Sequence, residues 1–190
     1  MKMRWYFLKI KWRSLIISLL IPLGIGGLAA FLTRDSMQTF ESLNQPPLSP
    51  PGWLFPVVWT ILYILMGIAC YIIYNSDSEL KKLALGIYGI QLFFNFFWSI
   101  IFFNLEMYFL AFIWLVVLWI AVFATIFFFW QINKKAGYLL IPYLLWVTFA
   151  GYLNYMIFLL NWKKRAKCSL FVFIYRKLHQ EFISLYRLAK

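Results

Sequence analysis

A chain of 190 residues is long enough for one domain, but hydrophobic residues make up 64% of it and charged residues 13%, against about 45–50% and about 25% in soluble domains. Aromatics reach 23%, with 21 Phe, 12 Tyr and 10 Trp, which is more apolar surface than a soluble globule of this size can hide; soluble enzyme, disordered chain and disulfide scaffold are all excluded. The net charge of +12 sits at the ends and in short connections, a pattern that suits lipid headgroups and topology rather than nucleic acid.

A spanning helix needs about 20 mostly apolar residues, and five stretches qualify: 14–32, 53–74, 83–103, 107–130 and 138–160. The expected architecture is an all-α membrane protein, a bundle of five transmembrane helices. A basic segment (1–13) precedes the bundle (14–161), and a basic tail (162–190) follows it. The basic start could imitate a signal peptide, but no convincing small-x-small cleavage site follows, so 14–32 reads as a span. Connections 75–82, 104–106 and 131–137 are short and join antiparallel neighbours. Connection 33–52 is different. It ends in Gln45-Pro46-Pro47-Leu48-Ser49-Pro50-Pro51-Gly52, and its four prolines make it stiff, so a rigid lid is expected there. Pro51 suits the first turn of the next helix.

The side shared by the N-terminus and connections 75–82 and 131–137 carries nine basic residues, and the opposite connections carry only Arg34. That places the N-terminus in the cytoplasm. Lys163, Lys164, Arg165 and Lys167 follow span five on the basic-poor side and conflict with this count. The tail beyond them is too short of consecutive apolar residues to cross. Phe171, Ile174, Leu178, Phe182 and Leu185 give it the periodicity of an amphipathic helix lying on the membrane.

Polar groups in hydrocarbon are costly unless partnered, so they mark bundle interiors. Gln91, Asn95 and Ser99 share one face of span three, and Phe55, Trp59 and Tyr63 share one face of span two. Trp146, Ala150 and Asn154 do the same on span five. Asn95 reads equally as interhelical hydrogen-bond glue or as a ligand contact. Trp5, Trp12, Trp53, Trp130 and Trp162 flank spans, as interfacial belts require, and five other Trp lie deeper. Three polar-aromatic faces beneath a rigid lid could enclose a flat apolar ligand with a few hydrogen-bonding edges.

The five spans contain no Asp, Glu, Lys, Arg or His, and the sole histidine, His179, is in the tail. Proton-coupled carriers and ion channels usually need ionisable groups at depth. A Ser-His-Asp or Cys-His machine has no parts inside the membrane, which excludes conventional hydrolysis. Cys70 and Cys168 make neither a disulfide framework nor a metal motif, and no metal site is expected.

Pro50-Pro51-Gly52 followed by Phe55-Pro56-Val57-Val58-Trp59-Thr60 resembles the second-helix signature of the TspO/MBR family. This is the family of tryptophan-rich sensory proteins and of the mitochondrial translocator (peripheral benzodiazepine receptor) protein. Residues 91–99 and 141–154 resemble its third- and fifth-helix motifs, so the likeness covers about residues 14–161. The resemblance implies a five-helix bundle, often a homodimer, in a bacterial-type membrane, with a pocket beneath the first long loop. It implies porphyrin ligands such as protoporphyrin IX, haem-related tetrapyrroles, sterols or other lipophilic molecules, and no required cofactor. Its pocket positions fall on Phe40, Pro50, Phe55, Trp59, Tyr63, Asn95, Trp146 and Ala150. Thr39-Phe40 stands where the family often has Trp-Tyr. The implied function is that of a receptor, sensor or carrier. The alternative is a light- and oxygen-dependent porphyrin breakdown assisted by Trp59 and Trp146.

Overall fold

A computed structural model describes residues 10–36, 40 and 42–161. The first nine residues and the basic tail lie outside the described residues, and with them the expected surface helix. Among the described residues five long helices follow one another: α1 (Trp12–Thr33), α2 (Leu54–Tyr74), α3 (Lys81–Ser99), α4 (Tyr108–Ile132) and α5 (Lys134–Asn161). Each is long and apolar enough to cross a membrane; α3 reaches that length with the π turn that continues it. Large apolar side chains such as Leu20, Phe31, Ile120 and Leu145 face outward, as helices solvated by lipid allow.

The helices close into a ring in the order α1, α2, α5, α4, α3 and back to α1. Sequence neighbours α2 and α3 touch sparingly, whereas α2 packs firmly on α5. The short 75–82 connection therefore crosses the bundle rather than joining its closest neighbours. Small residues set the α1–α2 spacing. A Cβ on Gly67 would lie 2.9 Å from both the Leu19 Cα and the Ser18 carbonyl oxygen, and the Tyr63 ring occupies the space beside Gly26. Close backbone approach of this kind favours dispersion and needs glycine.

Two helix ends differ from the apolar runs. The fifth helix begins at Lys134, so the expected 131–137 connection shrinks to Asn133. Asn133 caps it: its Oδ1 accepts from the Lys135 backbone N–H at 2.9 Å. That cap satisfies an orphan donor and outweighs two lysines in the first turn, where the helix dipole disfavours them. The third helix continues as a π turn over Ile100–Asn104, and Glu106 at φ 53° reverses the chain into α4.

The connection before α2 is anchored at its start and at its middle. Asn104 donates to the Leu32 carbonyl at 2.9 Å and accepts from the Ser36 hydroxyl at 2.9 Å. Asn161 accepts from the Asn44 backbone N–H at 3.0 Å and donates to its carbonyl at 3.1 Å. Gln45 donates to the Phe40 carbonyl at 2.7 Å and accepts from the Ser49 hydroxyl at 2.7 Å. Pro46 is buried, and a turn closes from its carbonyl to the Ser49 N–H at 3.0 Å.

Candidate functional site

The three faces read from spacing meet where α2, α3 and α5 converge. Tyr63 donates to Asn95 Oδ1 at 2.7 Å, and Asn95 Nδ2 donates to the Tyr143 hydroxyl at 3.0 Å. Tyr143 then donates to Gln91 Oε1 at 3.0 Å. These four side chains, all buried, form one continuous ladder linking three helices. Both polar ends of Asn95 are engaged, so its geometry is that of an interhelical connector. Tyr143 completes the ladder, and the four-residue spacing of Trp146, Ala150 and Asn154 does not include it, because it lies three residues before Trp146. The signal for it was present: a tyrosine hydroxyl deep in a span needs a partner.

Above the ladder lies a cluster of rings. Trp59 stacks on Tyr63 with centroids 5.5 Å apart and meets Tyr143 at 6.1 Å and Trp98 at 6.3 Å. Phe55, one turn earlier on α2, meets Trp146 edge-on at 6.0 Å. Phe40 reaches in from the long connection and contacts Phe55 at 5.9 Å. The π turn presents Phe102 and Phe103 to the same ring at 6.0 and 5.7 Å. The extra residue in a π turn shifts the face of the helix, which is how adjacent residues come to touch one ring.

Six of the eight sequence-derived positions thus form two sets, Phe40–Phe55–Trp146 and Trp59–Tyr63–Asn95, bridged by Trp98 packed against Phe102 and Phe103. Ala150 is buried one turn beyond Trp146 on α5, and Pro50 is half-buried just before α2. The other deep tryptophans are tied elsewhere. Trp98 donates to Asn154 Oδ1 at 3.2 Å, Trp114 to the Phe94 carbonyl at 2.8 Å and Trp119 to the Thr148 hydroxyl at 2.9 Å. Asn154 in turn donates to the Tyr108 carbonyl at 2.7 Å. Trp146 differs: its indole Nε1 is buried without a hydrogen-bond partner among the described residues. A buried donor of that kind is an exception that asks for an acceptor. Aromatic faces, neutral hydroxyl and amide groups and one free N–H can bind and orient a flat molecule.

Comparison with known proteins identifies the family. Residues 18–160 match the model of the TspO/MBR family. The chain is 37% identical over 150 residues to the Tryptophan-rich protein TspO of Chlorobaculum tepidum, covering 78% of this chain and 94% of that one. It is 40% identical over 153 residues to the Tryptophan-rich protein TspO of Archaeoglobus fulgidus, covering 78% and 97%. It is 34% identical over 151 residues to the Translocator protein of Bos taurus, covering 77% and 89%. With five membrane-length helices, three matched motifs converging on one aromatic cluster and near full-length relatives, this is an integral multi-pass membrane protein, and it belongs to the TspO/MBR family.

Proposed function

We propose that this protein binds a tetrapyrrole, a porphyrin such as protoporphyrin IX or a haem-related ring, among α2, α3 and α5, and serves as a membrane receptor, sensor or carrier. The observation that carries the reading is the buried Trp146 N–H without a partner, set beside Phe55, four residues along α2 from Trp59. A flat ring bearing carboxylates offers a stacking surface and acceptors together. Phe40, Pro50 and Ala150 belong to the same chamber on this reading, and sterols or other lipophilic ligands would use its apolar walls. Phe40 packs against Phe55, Phe102 and Phe103, so a flat ligand entering among these rings displaces it. A lid over the chamber is part of this reading, and the Asn44–Asn161 bonds, which tie the long connection to the end of α5, support it. A homodimer in a bacterial cell membrane, N-terminus inside, completes the proposal, and no bound cofactor is required.

Protoporphyrin IX titrated into the detergent-solubilised protein, in darkness and then in light, tests it. Saturable quenching without product supports binding. A new chromophore formed only in light, and lost in Trp59→Phe and Trp146→Phe, would instead assign porphyrin breakdown. Both substitutions keep most of the packing volume but remove the indole face and N–H, so each should weaken binding by about 1 kcal/mol or more. Unchanged affinity in the double variant overturns the site.

A further inference from the structure

A cavity of about 370 Å³ opens at the other end of the bundle from the aromatic cluster, between α1, α2 and α3. Arg13, Ser18, Cys70 and Tyr88 line it, with Ile17, Ile21 and Leu92 as apolar walls. It lies toward the start of α1, the end of α2 and the start of α3, away from the aromatic cluster beneath the long connection. Its size falls in the lower part of the range of ligand pockets, about 300–1,000 Å³.

Its polar groups are graded by depth. Arg13 is the second residue of α1 and is exposed, where a guanidinium meets headgroups at the membrane boundary. Ser18 lies five residues further in, about 7.5 Å along the helix axis, and is buried. Tyr88 is also buried, and its hydroxyl has no hydrogen-bond partner among the described residues. Its ring is fixed by stacking on Phe129 of α4 at 5.8 Å. A phenol held in place inside a membrane bundle without an acceptor is costly.

We propose that this cavity is a site for an anionic glycerophospholipid. The phosphate pairs with Arg13, an ester carbonyl one step deeper accepts from the Tyr88 hydroxyl, and one acyl chain lies along Ile17, Ile21 and Leu92. With Arg13 at the start of α1 and Tyr88 seven residues past Lys81, the first residue of α3, the placement favours an ester lipid over a free fatty acid. A carboxylate on Arg13 leaves nothing but methylenes at the depth of Tyr88. Arginine suits phosphate because its planar donors are charged and directional.

The test uses the purified full-length protein, delipidated in neutral detergent, with retained lipid counted by native mass spectrometry. Dioleoyl phosphatidylglycerol should be retained and dioleoyl phosphatidylcholine should not. Arg13→Gln should lower phosphatidylglycerol affinity about fivefold or more, with Arg13→Lys in between. Tyr88→Phe keeps the ring stack and should lower it about three- to tenfold for the ester lipid. It should leave the ether-linked analogue, which has no carbonyl, unaffected. Cys70 alkylation by N-ethylmaleimide in a Cys168→Ser background should slow when phosphatidylglycerol is added, which places the lipid in this cavity. Trp146→Phe should leave all of this unchanged, so failure of the porphyrin site and failure of the lipid site are separable. Equal retention of the two lipids, an ester affinity indifferent to Tyr88→Phe, unprotected Cys70, or oleate binding with the same Tyr88 dependence would each overturn the assignment.

Discussion

Asn95 shows how one residue's chemistry is settled by its partners. Spacing placed it on the inner face of α3 but left glue and ligand contact as equal readings. Its two hydrogen bonds, to Tyr63 and Tyr143, make it a connector between α2 and α5. Asn95→Leu should therefore destabilise the bundle by about 2–3 kcal/mol, because it leaves the Tyr63 hydroxyl without its acceptor in a dry interior. Unfolding in mixed micelles measures this. Adding Tyr63→Phe should recover part of the loss, since removing both partners is cheaper than stranding one. A normal unfolding curve together with lost porphyrin affinity would reverse the assignment and make Asn95 a ligand contact. Trp146 is the converse case. Its position on an inner face was legible from the four-residue spacing with Ala150 and Asn154, but its unpartnered N–H depends on which neighbours arrive across the bundle.

At the scale of helices, glycines that look alike in the sequence are not equivalent. Gly67 faces the α1 backbone, whereas a Cβ on Gly24 meets nothing within 4 Å. Gly67→Val should cost about 1–3 kcal/mol or more, because the atoms it meets are backbone and cannot swing aside. Gly24→Ala should be neutral or slightly stabilising, since alanine is the better helix former. Thermal unfolding of the two variants in the same detergent compares them directly, and equal losses would contradict the α1–α2 packing described. The helix ends carry a related lesson. Apolar runs located the spans to within a few residues, yet α5 starts four residues before its expected start because Asn133 caps it. Lysines in a first turn read as connection when only hydropathy is considered. The cap is a local hydrogen bond that hydropathy does not register.

For the molecule as a whole, the last of the five described helices ends at Asn161, whose side chain is spent on Asn44 and on the Ile157 carbonyl. The family match also stops at residue 160. Truncation after Trp162 should leave folding and porphyrin binding unchanged, as judged by thermal unfolding and the quenching titration. Reporter fusions to the truncated chain should place the N-terminus in the cytoplasm and the C-terminus outside, because nine basic residues then stand against Arg34 alone. A bundle that unfolds on truncation, or a cytoplasmic C-terminus, would show that residues 163–190 take part in the fold or that a span is misassigned.

Five membrane spans, their approximate limits and the inner faces of α2, α3 and α5 followed from the sequence alone. An apolar run of membrane length must form a helix whatever surrounds it, because its backbone groups have no other partners in lipid. The family was also legible, since its three motifs are local strings. Only the tertiary structure decided that α2 lies against α5 rather than closely against α3, that Tyr143 closes the Asn95 ladder and that Asn44 is held by Asn161. It also decided that Phe102 and Phe103 turn together onto Phe40. Helices such as α1 and α4 are apolar on every side, so hydropathy carries no record of which face meets which neighbour. Those choices rest on steric fit and on hydrogen bonds between residues far apart in the chain, and they exist only once the helices have packed.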